Sequence, residues 1–260
     1  MREPNARDAA WVLVAALAAM VIAGLLAQAG LPARAVTAIL QGAFFGAPLV
    51  VARSVGLRPL VASGFVRLSL RQGALVVLAS VASLWLMFAL ARGQTELLRV
   101  AGFDRQAHAE EETIRRSLDL RDPFPVHSLA IFALIPPLCE ETFFRGILLR
   151  GISSRFGLGI ALGATSILFS AAHPTLVQRG MMLFLGCYFG VLVHLTGSLW
   201  ASILAHAVNN VAVVLMIWRF GAELEQMPVP WALVALSALL FCLSMAGLGL
   251  ERRAPTSASS

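Results

Sequence analysis

Residues 9–26 read AAWVLVAALAAMVIAGLL, an uninterrupted run with no charge and no proline. As a helix at about 1.5 Å per residue, such a run nearly spans the ~30 Å hydrocarbon core of a bilayer. Lipid offers no partners for exposed backbone N–H and C=O groups, so helix is the expected form. The run is longer than the roughly 7–15 apolar residues of a signal-peptide core. Although Ala27-Gln28-Ala29 has the form of a signal-peptidase site, the segment is therefore expected to stay as a first span.

Seven more apolar stretches follow, at about 35–52, 72–91, 126–149, 157–173, 180–195, 199–218 and 231–250. None alternates with period two, which argues against an outer-membrane barrel. Hydrophobic residues make up 58% and charged residues 13% of the chain, against roughly 45–50% and about 25% in soluble domains. Mean hydropathy is +0.81. The expected fold is all-α: one polytopic membrane domain over residues 1–260, with about eight transmembrane helices.

Connections are short except over 92–125. That segment carries Glu110-Glu111-Glu112, Arg115-Arg116 and the acids Asp119 and Asp122 before Pro123 and Pro125. It reads as an interfacial loop or amphipathic helix stopped by the prolines. The tail 252–260, RRAPTSASS, is expected to be disordered. Three scattered cysteines, Cys139, Cys187 and Cys242, exclude a disulfide scaffold and a cysteine-based zinc module.

The net charge is +6, and all 20 basic residues are arginine. They are spread thinly, which reads as membrane topology and headgroup contact and argues against nucleic acid as a partner. With eight spans, the termini share a side with the loops after spans two, four and six. That side holds Arg2, Arg7, Arg53, Arg58, Arg67, Arg71, Arg150, Arg155, Arg252 and Arg253; the other holds Arg34, Arg179, Arg219 and six more in the long segment. The bias places the termini in the cytoplasm. A bacterial inner membrane is the expected location.

An ionisable residue inside a span is costly and marks function by default. The fourth stretch contains Pro136-Pro137-Leu138-Cys139-Glu140-Glu141-Thr142-Phe143-Phe144-Arg145-Gly146, the fifth ends in Phe169-Ser170-Ala171-Ala172-His173-Pro174, and the seventh contains His206-Ala207-Val208-Asn209-Asn210. Glu141 and Arg145, four apart in the favourable acid-before-base order, are expected to pair. That leaves Glu140, about 100° around the helix, to act as a general base. His206 and Asn210 project from one face. Pro136-Pro137 frees carbonyls just before the acids and opens the way to a water-lined dent. Blander roles stand beside these: a structural ion pair for Glu141–Arg145, a helix end at the headgroups for His173, and an interhelical hydrogen bond for His206 and Asn210. His108, His127 and His194 fall at span ends or in loops, and Cys139 reads as apolar filler.

Glu140-Glu141-x-x-x-Arg145, Phe169-x-x-x-His173 and His206-x-x-x-Asn210, in that order on separate apolar segments, resemble the motifs of the CPBP family. These are intramembrane proteases related to the CAAX prenyl endopeptidase and to bacteriocin-immunity membrane proteins. The resemblance covers 126–218, the expected catalytic core; the rest is similar only as generic spans. It implies an eight-helix bundle that hydrolyses a peptide bond of a membrane-associated peptide or protein. It implies Glu140 as the base that activates water, His173 as a holder of that water, His206 and Asn210 as oxyanion donors, and Glu141 with Arg145 as shapers of the site.

Glu140, His173 and His206 also make up a possible two-histidine, one-carboxylate zinc set, though no H-E-x-x-H helix is present. No cofactor is the favoured expectation. A non-catalytic scaffold or immunity protein, and a proton-coupled transporter, are the competing functions. Clustered polar groups favour the protease, and a line of them across the bilayer favours the transporter. One tension remains. Straight helices put Glu140 about 15 Å and His206 about 12 Å from the side of the 150–156 loop, but His173 about 26 Å from it.

Overall fold

The computed structural model describes residues 2–117, 126, 129–173 and 175–253. The described residues form a helical bundle. Its elements are α1 (Ala6–Gln28), α2 (Ala33–Ser54), the short α3 (Pro59–Ala62), α4 (Leu70–Val100) and α5 (Asp104–Ser117). A broken segment follows: a π-helical stretch (Leu129–Leu134), α6 (Ile135–Glu141), a second π-helical stretch (Thr142–Leu148) and α7 (Leu149–Phe156). The bundle closes with α8 (Leu158–Ala172), α9 (Arg179–Thr196), α10 (Leu199–Phe220), a 3₁₀ turn (Gly221–Gln226) and α11 (Trp231–Arg253).

Six of these, α1, α2, α4, α9, α10 and α11, are long and apolar enough to cross a membrane. The other two stretches expected to span take different forms. Residues 129–156 are not one straight α-helix, because Pro136 and Pro137 withhold two consecutive backbone donors. Helix α8 has 15 residues, about 22 Å of rise, less than the hydrocarbon thickness. Helix α4 runs past the expected 72–91 through Arg92, Glu96 and Arg99. Of the expected 92–125 segment, α5 is the polar helix; Pro123 and Pro125 lie outside the described residues, as do His127, Pro174 and 254–260 of the tail. Arg252 and Arg253 continue α11.

Local signals set the helix starts. Asn5 caps α1 with Asp8 in a reciprocal box, and Ser69 with Gln72 does the same for α4. Helix α1 turns Ala9, Val12 and Ala16 inward and exposes Trp11, Val14, Leu17 and Val21. Small residues inside and large apolar ones outside is the pattern of a helix packed by close approach and bathed in lipid.

Several contacts gather the chain ends and three loops at one end of the bundle. Asn5 lies against Gly151, Arg150 donates to Gly197 O, Leu199 N donates to Gly64 O, and Arg252 meets His194. At the opposite end α5 lies against the turn that follows α8: Glu110 Oε2 accepts from Leu176 N (2.6 Å) and Val177 N (3.1 Å). Glu111 accepts from Thr95 (2.9 Å), tying α5 back to α4.

Helices α8 and α9 cross at Gly186. A Cβ there would stand 2.8 Å from Ser166 Cα and 2.9 Å from Ser166 Cβ. Gly186→Ala should therefore push the two helices apart and cost about 1–3 kcal/mol. Gly190→Ala meets only the tip of Leu162 and should cost less. Thermal melting of the purified variants checks the order, and equal melting temperatures would contradict it.

Candidate active site

Four of the six polar positions expected to form the site line one cavity of about 420 Å³: Glu140, His173, His206 and Asn210. They come from α6, the end of α8 and the middle of α10. Asn209, Gln41 of α2 and Thr113 of α5 line it too, with Met181, Met182 and Val213 among its apolar wall. The volume is within the usual range for a ligand site. Despite the depths expected of straight helices, His173 lines the same cavity as Glu140 and His206.

Glu140 is 8% exposed. Gln41 Nε2 donates to its Oε1 at 2.9 Å, while Oε2 has no hydrogen-bond partner among the described residues.

His173 caps α8 with extended backbone. Its Nδ1 lies 2.9 Å from Phe169 O. A carbonyl can only accept, so Nδ1 carries the proton and the neutral ring keeps a lone pair on Nε2. The Phe169 ring packs against His173 at 4.9 Å and holds the imidazole in place.

Glu141 and Arg145 do not line the cavity; they form its back wall. Both are fully buried. Arg145 Nη1 donates to Glu141 Oε1 at 2.9 Å, the pair expected from the i,i+4 spacing. Arg145 Nη2 donates to Gly186 O at 3.0 Å, and the guanidinium lies 4.4 Å from the Phe169 ring centroid, with Phe144 and Phe189 also within cation–π range.

The same Glu141 oxygen also accepts from His206 Nδ1 at 2.9 Å. Arg145, Glu141 and His206 are thus one buried chain. Because Nδ1–H is committed to the carboxylate, the neutral His206 ring keeps its lone pair on Nε2. Phe189 stacks on the ring at 5.0 Å, 22° from parallel.

Asn210 Nδ2 donates to Phe132 O at 2.9 Å. The reason is in the sequence. The α-helical donor for that carbonyl would be residue 136 and the π-helical donor residue 137, and both are proline. Asn210 satisfies the carbonyl that Pro136-Pro137 leaves open, so the interhelical bond given as its blander role is present.

Gln41, Asn209 and Phe189 were not singled out by the sequence. An amide in an apolar span was the available signal for the first two, and a scan limited to ionisable groups passes over it. His108 sits on the exposed α5 near Asp104 and Glu111, and His194 meets Arg252. Cys139 is buried in the apolar core.

Two imidazoles with bare Nε2 atoms and a carboxylate oxygen without a partner are zinc-type donors in kind. Among the described residues, no three His, Cys, Asp or Glu side chains are grouped to hold a metal ion.

Residues 122–212 match the Rce1-like family, described as type II CAAX prenyl endopeptidase Rce1-like. The match covers about a third of the chain and includes all six polar positions. It bears out the resemblance to CPBP family proteases that the three motifs carry. No curated protein and no solved structure matches the chain.

Proposed function

We propose, from the premise of an Rce1-like core at 122–212, that this chain is an intramembrane endopeptidase in which Glu140 and His173 activate water to hydrolyse a peptide bond of a membrane-associated peptide or protein. The observation that carries this reading is the convergence of a carboxylate with one free oxygen and an imidazole with a bare Nε2 on one half-open cavity. The polar groups cluster there, which supports hydrolysis over transport.

Both groups accept hydrogen bonds, so a water that donates one proton to each turns a lone pair outward. Its oxygen attacks the scissile carbonyl carbon. The O–C bond forms, the proton passes to Glu140, and the carbonyl π electrons move onto oxygen. Collapse of the tetrahedral intermediate breaks the C–N bond, and Glu140 returns the proton to the leaving amine. His206 donates to the oxyanion from Nε2 when its ring enters the cycle as imidazolium, with a proton taken from solvent beforehand and kept throughout, and Glu141 offsets that charge. Asn210, with one Nδ2 proton on Phe132 O, has a second to give. Arg145 fixes Glu141 and, through it, the tautomer of His206.

Hydrolysis by this route needs no metal. Activity of purified protein on a quenched-fluorescence peptide library, with and without C-terminal S-farnesyl cysteine, should survive prolonged dialysis against a strong chelator. Activity that vanishes on chelation, returns with zinc and tracks one zinc per chain would overturn the metal-free mechanism. No cleavage of any library member would overturn the protease assignment. We place the end of the bundle that holds both termini and the larger share of loop arginines in the cytoplasm of a bacterial cell.

A further inference from the structure

The oxyanion donors implied by the family resemblance have prior commitments. His206 spends its Nδ1 proton on Glu141, and Asn210 spends one amide proton on Phe132 O. Asn209 differs. It is 1% exposed, lines the same cavity, and its Nδ2 has no hydrogen-bond partner among the described residues. An amide NH₂ buried without acceptors destabilises the fold, a cost with a reason if an acceptor arrives with substrate.

We propose that Asn209 is a substrate-binding residue of the cleavage site, whose side-chain amide donates to the scissile carbonyl oxygen as it becomes an oxyanion. This rests on the protease reading. The reaction is balanced as before; Asn209 gives up no proton and stabilises the negative oxygen between attack and collapse.

The other end of the amide is positioned by α4. Ser83 Oγ stands 3.3 Å from Asn209 Oδ1 and 2.7 Å from Ser80 O, its own turn's carbonyl. Its one proton serves one of them at a time. When it goes to Asn209, Oδ1 is held and Nδ2 is left to the cavity. Ser80 in turn contacts Tyr188 of α9 at 3.0 Å, so the anchor belongs to a buried polar link among α4, α9 and α10.

The test uses full-length protein and the library peptide that the wild type cleaves fastest. Asn209→Leu removes the donor at similar volume, and Asn209→Asp keeps the shape but offers an acceptor. Both should lower kcat by roughly 10²–10³-fold, the usual effect of losing one oxyanion donor, with KM within about threefold. Affinity for a phosphinic analogue of that peptide, which carries a tetrahedral anion, should fall in proportion to kcat. Ser83→Ala should give a smaller loss in the same direction. Should Asn209→Leu fail to fold, Asn209→Ala carries the same expectation.

A folded Asn209→Leu with wild-type kcat and a lowered melting temperature would make Asn209 a mere interhelical tie and overturn the proposal. Full activity in Asn209→Asp would also overturn it, because an acceptor would then suffice. Either result leaves the protease reading intact. A wild type that cleaves no peptide overturns that reading, and this proposal with it.

Discussion

Glu140→Gln is expected to abolish measurable peptide cleavage, a loss of roughly 10²–10⁴-fold or more, while the bundle melts at the wild-type temperature. The amide cannot take a proton from water, yet it keeps the volume and can still bond Gln41, whose amide offers both a donor and an acceptor. Among the described residues, the Oε1 contact to Gln41 is the one side-chain hydrogen bond that Glu140 makes, and its other oxygen has no hydrogen-bond partner. Little folding energy is at stake. Rates and melting curves on the same preparation check both halves. Undiminished cleavage by a well-folded variant would remove Glu140 from the mechanism.

Arg145→Ala should show the reverse profile: a collapse in folding yield and melting temperature that precedes any question of rate. The arginine is completely buried and holds Glu141 Oε1, Gly186 O and three aromatic faces together. Truncation strands a buried carboxylate, orphans a carbonyl and empties a large volume. Breaking a buried pair in this way costs about 3–5 kcal/mol. Arg145→Lys should recover only part of it, since an ammonium cannot serve Glu141 and Gly186 with a planar fork. Melting temperatures of Arg145→Ala and Glu140→Gln measured side by side check the contrast. Equal values would mean that the ion pair contributes nothing to the fold.

These opposite profiles follow from a difference visible in the sequence. Adjacent glutamates point about 100° apart on a helix, and only Glu141 has a base four residues on. The i,i+4 pair and the convergence of three motifs were legible because both rest on spacing. The bridge from Glu141 to His206 was not, since it joins residues 65 positions apart. Nor was the hold of Gln41 on Glu140, across 99 positions. His206 and Asn210 were read as a pair because they share a face. They do share it, but each is turned to a different partner by elements from elsewhere in the chain.

Pro136-Pro137 shows the same division. The sequence says that carbonyls are freed, and the structure identifies Phe132 O as one and Asn210 as its partner. The count of eight spans was the least secure part, because hydropathy alone cannot see that 129–156 breaks into π-helical and α-helical pieces or that α8 is short.

Water activation at Glu140 and His173 is the centre of this account, and the fate of one oxygen atom tests it. Wild-type protein in liposomes is given its best peptide in heavy-oxygen water, and the new C-terminal carboxylate is weighed by mass spectrometry. The account predicts one heavy oxygen per cleaved bond, and no such product from Glu140→Gln or His173→Ala under the same conditions. A labelled product formed equally well by either folded variant would contradict it.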